Sequence, residues 1–278
     1  MSAFYWLASY PKSGNTWLRM ALRSLTTGGA PIRFEERESW IPVASAREPF
    51  DTLLELESSD LTQEEVDCLR PLFYIEQARL ADQPLIRKVH DAWIRTAAGT
   101  PLFPPAVTLG AIYVVRDPRD VAVSYAHHAC CSIDEAIAFL DDPNAAFASA
   151  KSYLTCQLRQ TMLTWRGHAA SWLDAPGIRV LTVRYEDMIA DPEGTLAKVA
   201  TFCRMGASAE LIAAATQATR FDVLQRIEEE QGFQEKPPGM KRFFRRGQAG
   251  GWRDCLTSEQ AARIVSAQGE MMRRLDYI

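Results

Sequence analysis

The sequence predicts an α/β fold: a P-loop-like central sheet, mostly parallel and flanked by helices, in a single domain over residues 1–278. Three observations predict it. The chain opens with an apolar run at residues 3–9, a Tyr10-Pro11 turn, and then a stretch in which Trp17, Leu18, Ala21, Leu22 and Leu25 share one helical face. Short apolar runs recur at 85–90, 110–115 and 180–183, separated by helical periodicity, and strands alternating with helices imply a parallel sheet covered on both faces. With 278 residues and 47% hydrophobic content, the chain can bury a core of that size.

Taken in order, residues 3–9 read as a buried strand and 15–25 as the first helix. Residues 26–60 carry Pro31, Pro42 and Pro49 and read as irregular. Thr62 with Glu65 has capping-box spacing and starts a helix expected to break near Pro71. Residues 85–90 form a strand, 100–105 a loop, and 110–115 (GAIYVV) the best central strand, unbroken and β-rich. Ser132 with Glu135 caps another helix, and residues 150–173 place Leu154, Leu158, Trp165, Ala169 and Trp172 at helical spacing. A strand at 180–183 follows. Asp191-Pro192 opens a helix with proline at its first position, Ser208 opens the next, and Thr257 with Gln260 caps the last. Residues 232–252 hold Gly232, Gly239, Gly247, Gly250, Gly251, Pro237 and Pro238. They form a long loop, of the kind that is usually functional or disordered.

Composition narrows the partners. The 31 basic and 35 acidic residues leave a net charge of −4, which argues against a general nucleic-acid binder but leaves room for a local basic pocket that takes one nucleotide. The cysteines (Cys68, Cys130, Cys131, Cys156, Cys203, Cys255) have no CxxC spacing and do not combine with His90, His127, His128 and His168 at zinc-site spacing, so no metal is expected. Scattered cysteines read as reduced, hence a cytoplasmic location. No basic segment followed by a long apolar run opens the chain, and no stretch approaches about 20 apolar residues, so neither a signal peptide nor a membrane span is expected.

Four groups of residues carry chemistry. Tyr10 to Trp17 (YPKSGNTW) joins strand to helix, where unpaired N–H groups and the positive dipole end favour a phosphate; Gly14 permits close approach, Ser13, Asn15 and Thr16 add donors, and Lys12 adds a charge. A plain strand-to-helix turn has the same outline. It is not a Walker A loop, because Lys12 precedes the glycine. Arg116-Asp117-Pro118-Arg119-Asp120, with Ser124 beyond, ends the best strand, where open α/β sheets bind ligands. Arg116 can clamp a phosphate, while Asp117 and Asp120 are expected to pair with Arg119. The segment 242–252 (RFFRRGQAGGW) joins Arg242, Arg245 and Arg246 to glycines and suits a loop closing over an anion, though alone it also suits a solvated basic loop. His90, after Lys88, is a natural general base for a hydroxyl, although a lone histidine is more often structural.

Together these residues resemble the sulfotransferase family that uses 3′-phosphoadenosine 5′-phosphosulfate (PAPS). Its YPKSGTTW loop reads YPKSGNTW here; its RNPKDVAVSYYHF motif reads RDPRDVAVSYAHH from Arg116; its RKGxxGDWK loop reads RRGQAGGWR from Arg245; and its RYEDM segment contains Tyr185. The motifs keep the family order over nearly the whole chain. The RRGxxGGWR form is similar to bacterial tailoring sulfotransferases that act on secondary metabolites.

The resemblance implies the PAPS-dependent sulfotransferase fold and the role of each matched residue. Lys12 would contact the oxygen bridging phosphate and sulfate. Ser13, Gly14, Asn15, Thr16 and Trp17 would hold the 5′-phosphate and adenine. Arg116 and Ser124, with Arg245, Arg246 and Gly247, would take the 3′-phosphate, Tyr185 would hydrogen-bond adenine, and Phe221 would stack on it. His90 would be the base, from the family's KTH matched by Lys88-Val89-His90, which also makes Lys88 a catalytic candidate; Ser124 would be a further one, holding Lys12 away until the acceptor arrives.

Four positions depart from the family pattern: Asn15 for threonine, Gly251 for aspartate, Arg220 for serine, and a C-terminal dimer motif present only as Arg253…Thr257-Ser258, which leaves a homodimer open. The acceptor, a small or mid-sized molecule bearing a phenol or alcohol, is expected to lie among segments 26–60, 91–105, 127–150 and 225–252, with Trp40, Phe50, Trp93, Phe103, Phe139, Phe147 and Phe233 as candidate walls and His127 and His128 as further candidates. PAPS would be the donor, leaving as PAP, with no metal. The alternatives are a P-loop kinase of a small metabolite and a non-catalytic PAP-binding protein.

Overall fold

The computed structural model describes residues 2–35, 41–149, 153–237 and 239–278. Trp40, Pro238 and residues 150–152 of the expected helix lie outside the described residues. In chain order the elements are β1 (Phe4–Ser9), α1 (Asn15–Thr26), α2 (Arg47–Leu54), α3 (Gln63–Leu80), β2 (Leu85–Val89), β3 (Thr108–Val115), α4 (Pro118–Ala129), α5 (Ile133–Leu140), β4 (Ala146–Phe147), β5 (Gln160–Thr161), α6 (Trp165–Leu173), β6 (Val180–Arg184), α7 (Tyr185–Ala190), α8 (Pro192–Phe202), α9 (Ala209–Ala218), α10 (Phe221–Gln231) and α11 (Ser258–Arg274). The expected α/β architecture, a central parallel sheet flanked by helices, is present. The sheet runs β2-β1-β3-β6, and β1 pairs in parallel with β2 from Phe4↔Leu85 to Ala8↔Val89. Every residue of β1 is buried, which is why its sequence is apolar without alternation. β4 and β5 form a small antiparallel ribbon.

The chain divides into two units. The first comprises residues 1–10, 42–113 and 141–182. Its core is aromatic: Trp6 stacks on Phe4 at 4.4 Å and meets Tyr74 edge-on, and Phe103 packs on Trp6, Trp93 and Trp172. The second comprises residues 11–41, 114–140 and 183–278. One of its cores gathers Met20, Ile32, Phe34, Leu224, Ile227, Phe233 and Phe244.

Three local expectations fail for identifiable reasons. The capping box of α3 forms as read, but the helix passes through Pro71 to Leu80. Buried Arg70, Phe73 and Tyr74 anchor it around the proline, and Arg70 holds Asp91 in a two-pronged pair at 2.8 and 2.7 Å. These contacts offset a proline cost of about 3 kcal/mol. Residues 26–60 are not wholly irregular: α2 forms with Pro49 in its first turn, where no backbone donor is lost, and buries Phe50. Among the described residues of 150–173, the helical spacing is real only in α6. Thr164 starts that helix by accepting the Gly167 N–H, while the chain before it is drawn into β5 and leaves Leu154 exposed.

Candidate active site

In the second unit, the turn before α1 has a tightly constrained backbone. Lys12 and Gly14 both lie in the left-handed region, at φ 68° and 101°. A Cβ on Gly14 would lie 2.5 Å from the Tyr185 ring, so only glycine fits there. Gly14 is the N-cap of α1 and no side chain caps the helix start, which leaves first-turn N–H groups and the positive dipole end for a ligand. Asn15 is buried, and Thr16 and Trp17 are half-buried. Trp17 donates its indole N–H to the Thr219 carbonyl at 2.7 Å and meets Tyr185 edge-on at 6.3 Å. Ser13 is fully buried, and its hydroxyl has no partner among the described residues, a costly arrangement that a phosphate oxygen would relieve. The Lys12 ammonium lies 3.4 Å from His128 Nδ1 and 4.3 Å from the centre of the Phe243 ring.

Positive charge converges on the same unit. Arg116 donates to the carbonyls of Gln248 (2.9 Å) and Lys12 (3.4 Å), and its guanidinium lies 4.2 Å from the centre of the Tyr185 ring. Its Nε is buried and unpartnered among the described residues. The Arg245 guanidinium is held below its ordinary pKa, first by burial and then by repulsion from Arg246 and Arg116. His127 is lowered too, by burial and then by Arg245 and Arg246. Like charges that disfavour one another in this way are offset when an anion binds among them. Gly247, at φ 59°, lies under Phe221, where a Cβ would come within 2.4 Å of the ring. The Tyr185 hydroxyl is buried, and burial raises its pKa. Ser124 is half-buried on α4, one turn before His128.

The basic loop is tied down by a residue that sequence reading assigned elsewhere. Asp117 pairs with Arg119 as expected, at 2.7 Å, and caps α4. Asp120 does not; its buried carboxylate accepts the N–H of Gly250 at 2.6 Å and of Trp252 at 2.9 Å. The left-handed turn at Gly250 aims both donors at one carboxylate, and Arg119 stacks on the Trp252 ring at 4.1 Å. Arg242 pairs with Glu229, and Arg220 with Asp222 at 3.0 Å.

In the first unit, His90 follows β2. Its Nδ1 lies 2.9 Å from the Ser9 carbonyl, which can only accept, so Nδ1 carries the proton and Nε2 is the basic nitrogen. Lys88 is buried within β2. Phe147 meets the His90 ring edge-on at 6.2 Å.

A sulfotransferase domain model matches residues 4–276. The chain belongs to the sulfotransferase family. It is 21% identical to cytosolic sulfotransferase 17 of Arabidopsis thaliana over 99% of this chain and 75% of that protein. It is 25% identical to the flavonol 3-sulfotransferase of Flaveria bidentis, over 93% of this chain and 78% of that one. Among solved structures it is similar to mouse sulfotransferase SULT7A1 complexed with PAP, with TM-score 0.62 and 20% identity over 98% of this chain and 85% of that chain.

Within this sulfotransferase, the second unit contains Lys12, Ser13, Gly14, Asn15, Thr16, Trp17, Arg116, Ser124, Tyr185, Phe221, Arg245, Arg246 and Gly247, and the first contains Lys88 and His90. Among the expected acceptor walls, Phe50, Trp93, Phe103 and Phe233 are core residues. Phe139 stacks on Tyr125, and Phe147 stays beside His90. Sequence reading missed Asp120 as the loop's anchor, Phe243 beside Lys12, and Glu186, whose half-buried carboxylate accepts the Asp117 N–H and the Tyr277 hydroxyl. The pairing of a buried acid with a glycine-rich loop over a hundred residues away leaves no local signal. Among the described residues no helix is long and apolar enough to cross a membrane, and no three His, Cys, Asp or Glu side chains form a metal set.

Proposed function

We propose that this sulfotransferase moves the sulfuryl group of PAPS to the hydroxyl of a small or mid-sized, ring-bearing acceptor. One observation carries the reading: an uncapped helix start and the orphaned Ser13 hydroxyl share a unit with Arg116, Arg245 and Arg246. PAPS has an anion at each end of an adenosine, and these residues fit it. Arg116, Ser124, Arg245, Arg246 and the Gly247 amide would hold the 3′-phosphate. Ser13, Gly14, Asn15 and Thr16 would hold the 5′-phosphate, and Trp17, Tyr185 and Phe221 the adenine.

PAPS supplies an activated sulfur. The acceptor oxygen forms a bond to that sulfur as the bond from sulfur to the phosphate oxygen breaks, and the electron pair leaves with PAP. His90 takes the hydroxyl proton on Nε2, because Nδ1–H is committed to Ser9. The Lys12 ammonium steadies charge growing on the leaving oxygen, and Lys88 is proposed to assist at the sulfuryl oxygens. As in phosphoryl transfer, positioning and charge do most of the work. Phe147 beside His90 and Phe243 beside Lys12 favour an acceptor with a ring. The relatives' names and the six free cysteines favour a cytoplasmic location.

Turnover of PAPS with a panel of phenols and alcohols, read by mass shift, tests the reading. His90→Ala should lower kcat by about 10²–10⁴-fold while PAP binds as before. Near-normal turnover in that variant removes His90 from the role.

A further inference from the structure

The His90 main chain is gripped from behind by groups the chemistry does not otherwise use. His168, on α6, is fully buried, and its Nε2 lies 3.0 Å from the His90 carbonyl. A carbonyl accepts, so Nε2 carries the hydrogen and Nδ1 has a lone pair. The Tyr113 hydroxyl lies 3.0 Å from that Nδ1 and donates to it. Tyr113 is itself fully buried on β3, the longest strand of the sheet. Burial pushes the His168 imidazole down to about 4, so it stays neutral and keeps this one tautomer near neutral pH. The grip continues beyond His90: the Asp91 carbonyl accepts the Trp172 indole N–H at 2.9 Å, also from α6, and the Ala92 N–H donates to Thr161 at 2.7 Å.

We propose that His168, seated by Tyr113, is a positioning residue for the His90 base. It holds the His90 carbonyl, which keeps the imidazole over the Ser9 carbonyl and leaves Nε2 as its proton acceptor. A base at the end of a strand would otherwise drift by tenths of an ångström, and small misplacements are expensive in rate. The proposal rests on His90 being the base, and the test separates the two.

Steady-state kinetics, PAP titration and nitrogen NMR of histidine-labelled enzyme are measured on the wild type and on His90→Ala, His168→Phe, His168→Gln and Tyr113→Phe. The chain has only four histidines, so loss of a signal in His90→Ala assigns that imidazole. His168→Phe should lower kcat about 10- to 100-fold, leave PAP affinity unchanged, and move the His90 imidazole away from its pure Nδ1–H form. His168→Gln keeps an N–H at the position of Nε2 and should recover most of the rate and the spectrum. If His168→Phe does not fold, Tyr113→Phe carries the comparison, with a smaller loss of the same kind. Unchanged kcat and an unchanged His90 signal in the variant that folds overturn the proposal. A His90 signal that moves in His168→Phe while His90→Ala stays active sinks the base reading instead and leaves the positioning intact.

Discussion

His168, the proposed support of the base, also bears on stability. Its imidazole titrates near 4 in the folded protein against 6.5 for an unperturbed histidine, and desolvation is the first cause. Between those values the unfolded chain binds a proton that the folded chain refuses, so stability falls as pH drops from 6.5 towards 4 and is flat, for this group, above 6.5. The full span is worth about 3 kcal/mol at 1.36 kcal/mol per pH unit. Denaturant melts at pH 7 and pH 4.5 should therefore show wild type losing more stability in acid than His168→Gln does. Equal losses would mean that the buried imidazole is not what makes the fold acid-sensitive. Single residues of this kind are hard to read from sequence: His168 and His90 look alike as letters, and only burial and the identity of the acceptor separate a base from its support.

Among the elements, the glycine-rich segment after α10 depends on Asp120. Two amides given to one buried carboxylate are charge-assisted bonds, each worth about 1.5–3 kcal/mol. Asp120→Ala should free the loop that bears Arg245, Arg246 and Gly247 and raise the PAP dissociation constant at least tenfold by calorimetry, with Asp120→Asn falling between. Binding as tight as wild type in Asp120→Ala would show that the loop keeps its place without this anchor. The sequence marks the loop clearly by its glycines and arginines, and it marks the start of α4 by Asp117-Pro118. It cannot say that Asp120 turns from its neighbour Arg119 to amides 130 residues away, because a short ion pair and a long-range one look the same in a list of residues. α3 carries the same lesson: local propensity argues for a break at Pro71, and the buried Arg70–Asp91 pair overrides it.

For the molecule as a whole, the residues proposed to hold the donor fall in the second unit, and the proposed base with its proposed support falls in the first. A ligand that binds only the folded protein should raise its melting midpoint. At about 100 times its dissociation constant, PAP should add about 2.7 kcal/mol, seen as a shift of several degrees in a thermal scan without magnesium. The shift should shrink with added salt, because guanidinium–phosphate contacts are screened. A shift with magnesium and ATP but none with PAP would favour the kinase alternative.

Composition, strand–helix alternation and four ordered motifs determined the α/β class, the family, and which residues are candidates for donor and base. Those are short-range properties: an apolar period, a capping pair, or a glycine where a side chain cannot fit is written within a few residues. Tertiary structure alone decided which nitrogen of His90 is basic, which carboxylate holds the basic loop, and which of the expected acceptor aromatics are merely core. Each of those depends on what a side chain meets far along the chain once water has been excluded, and no local pattern encodes that.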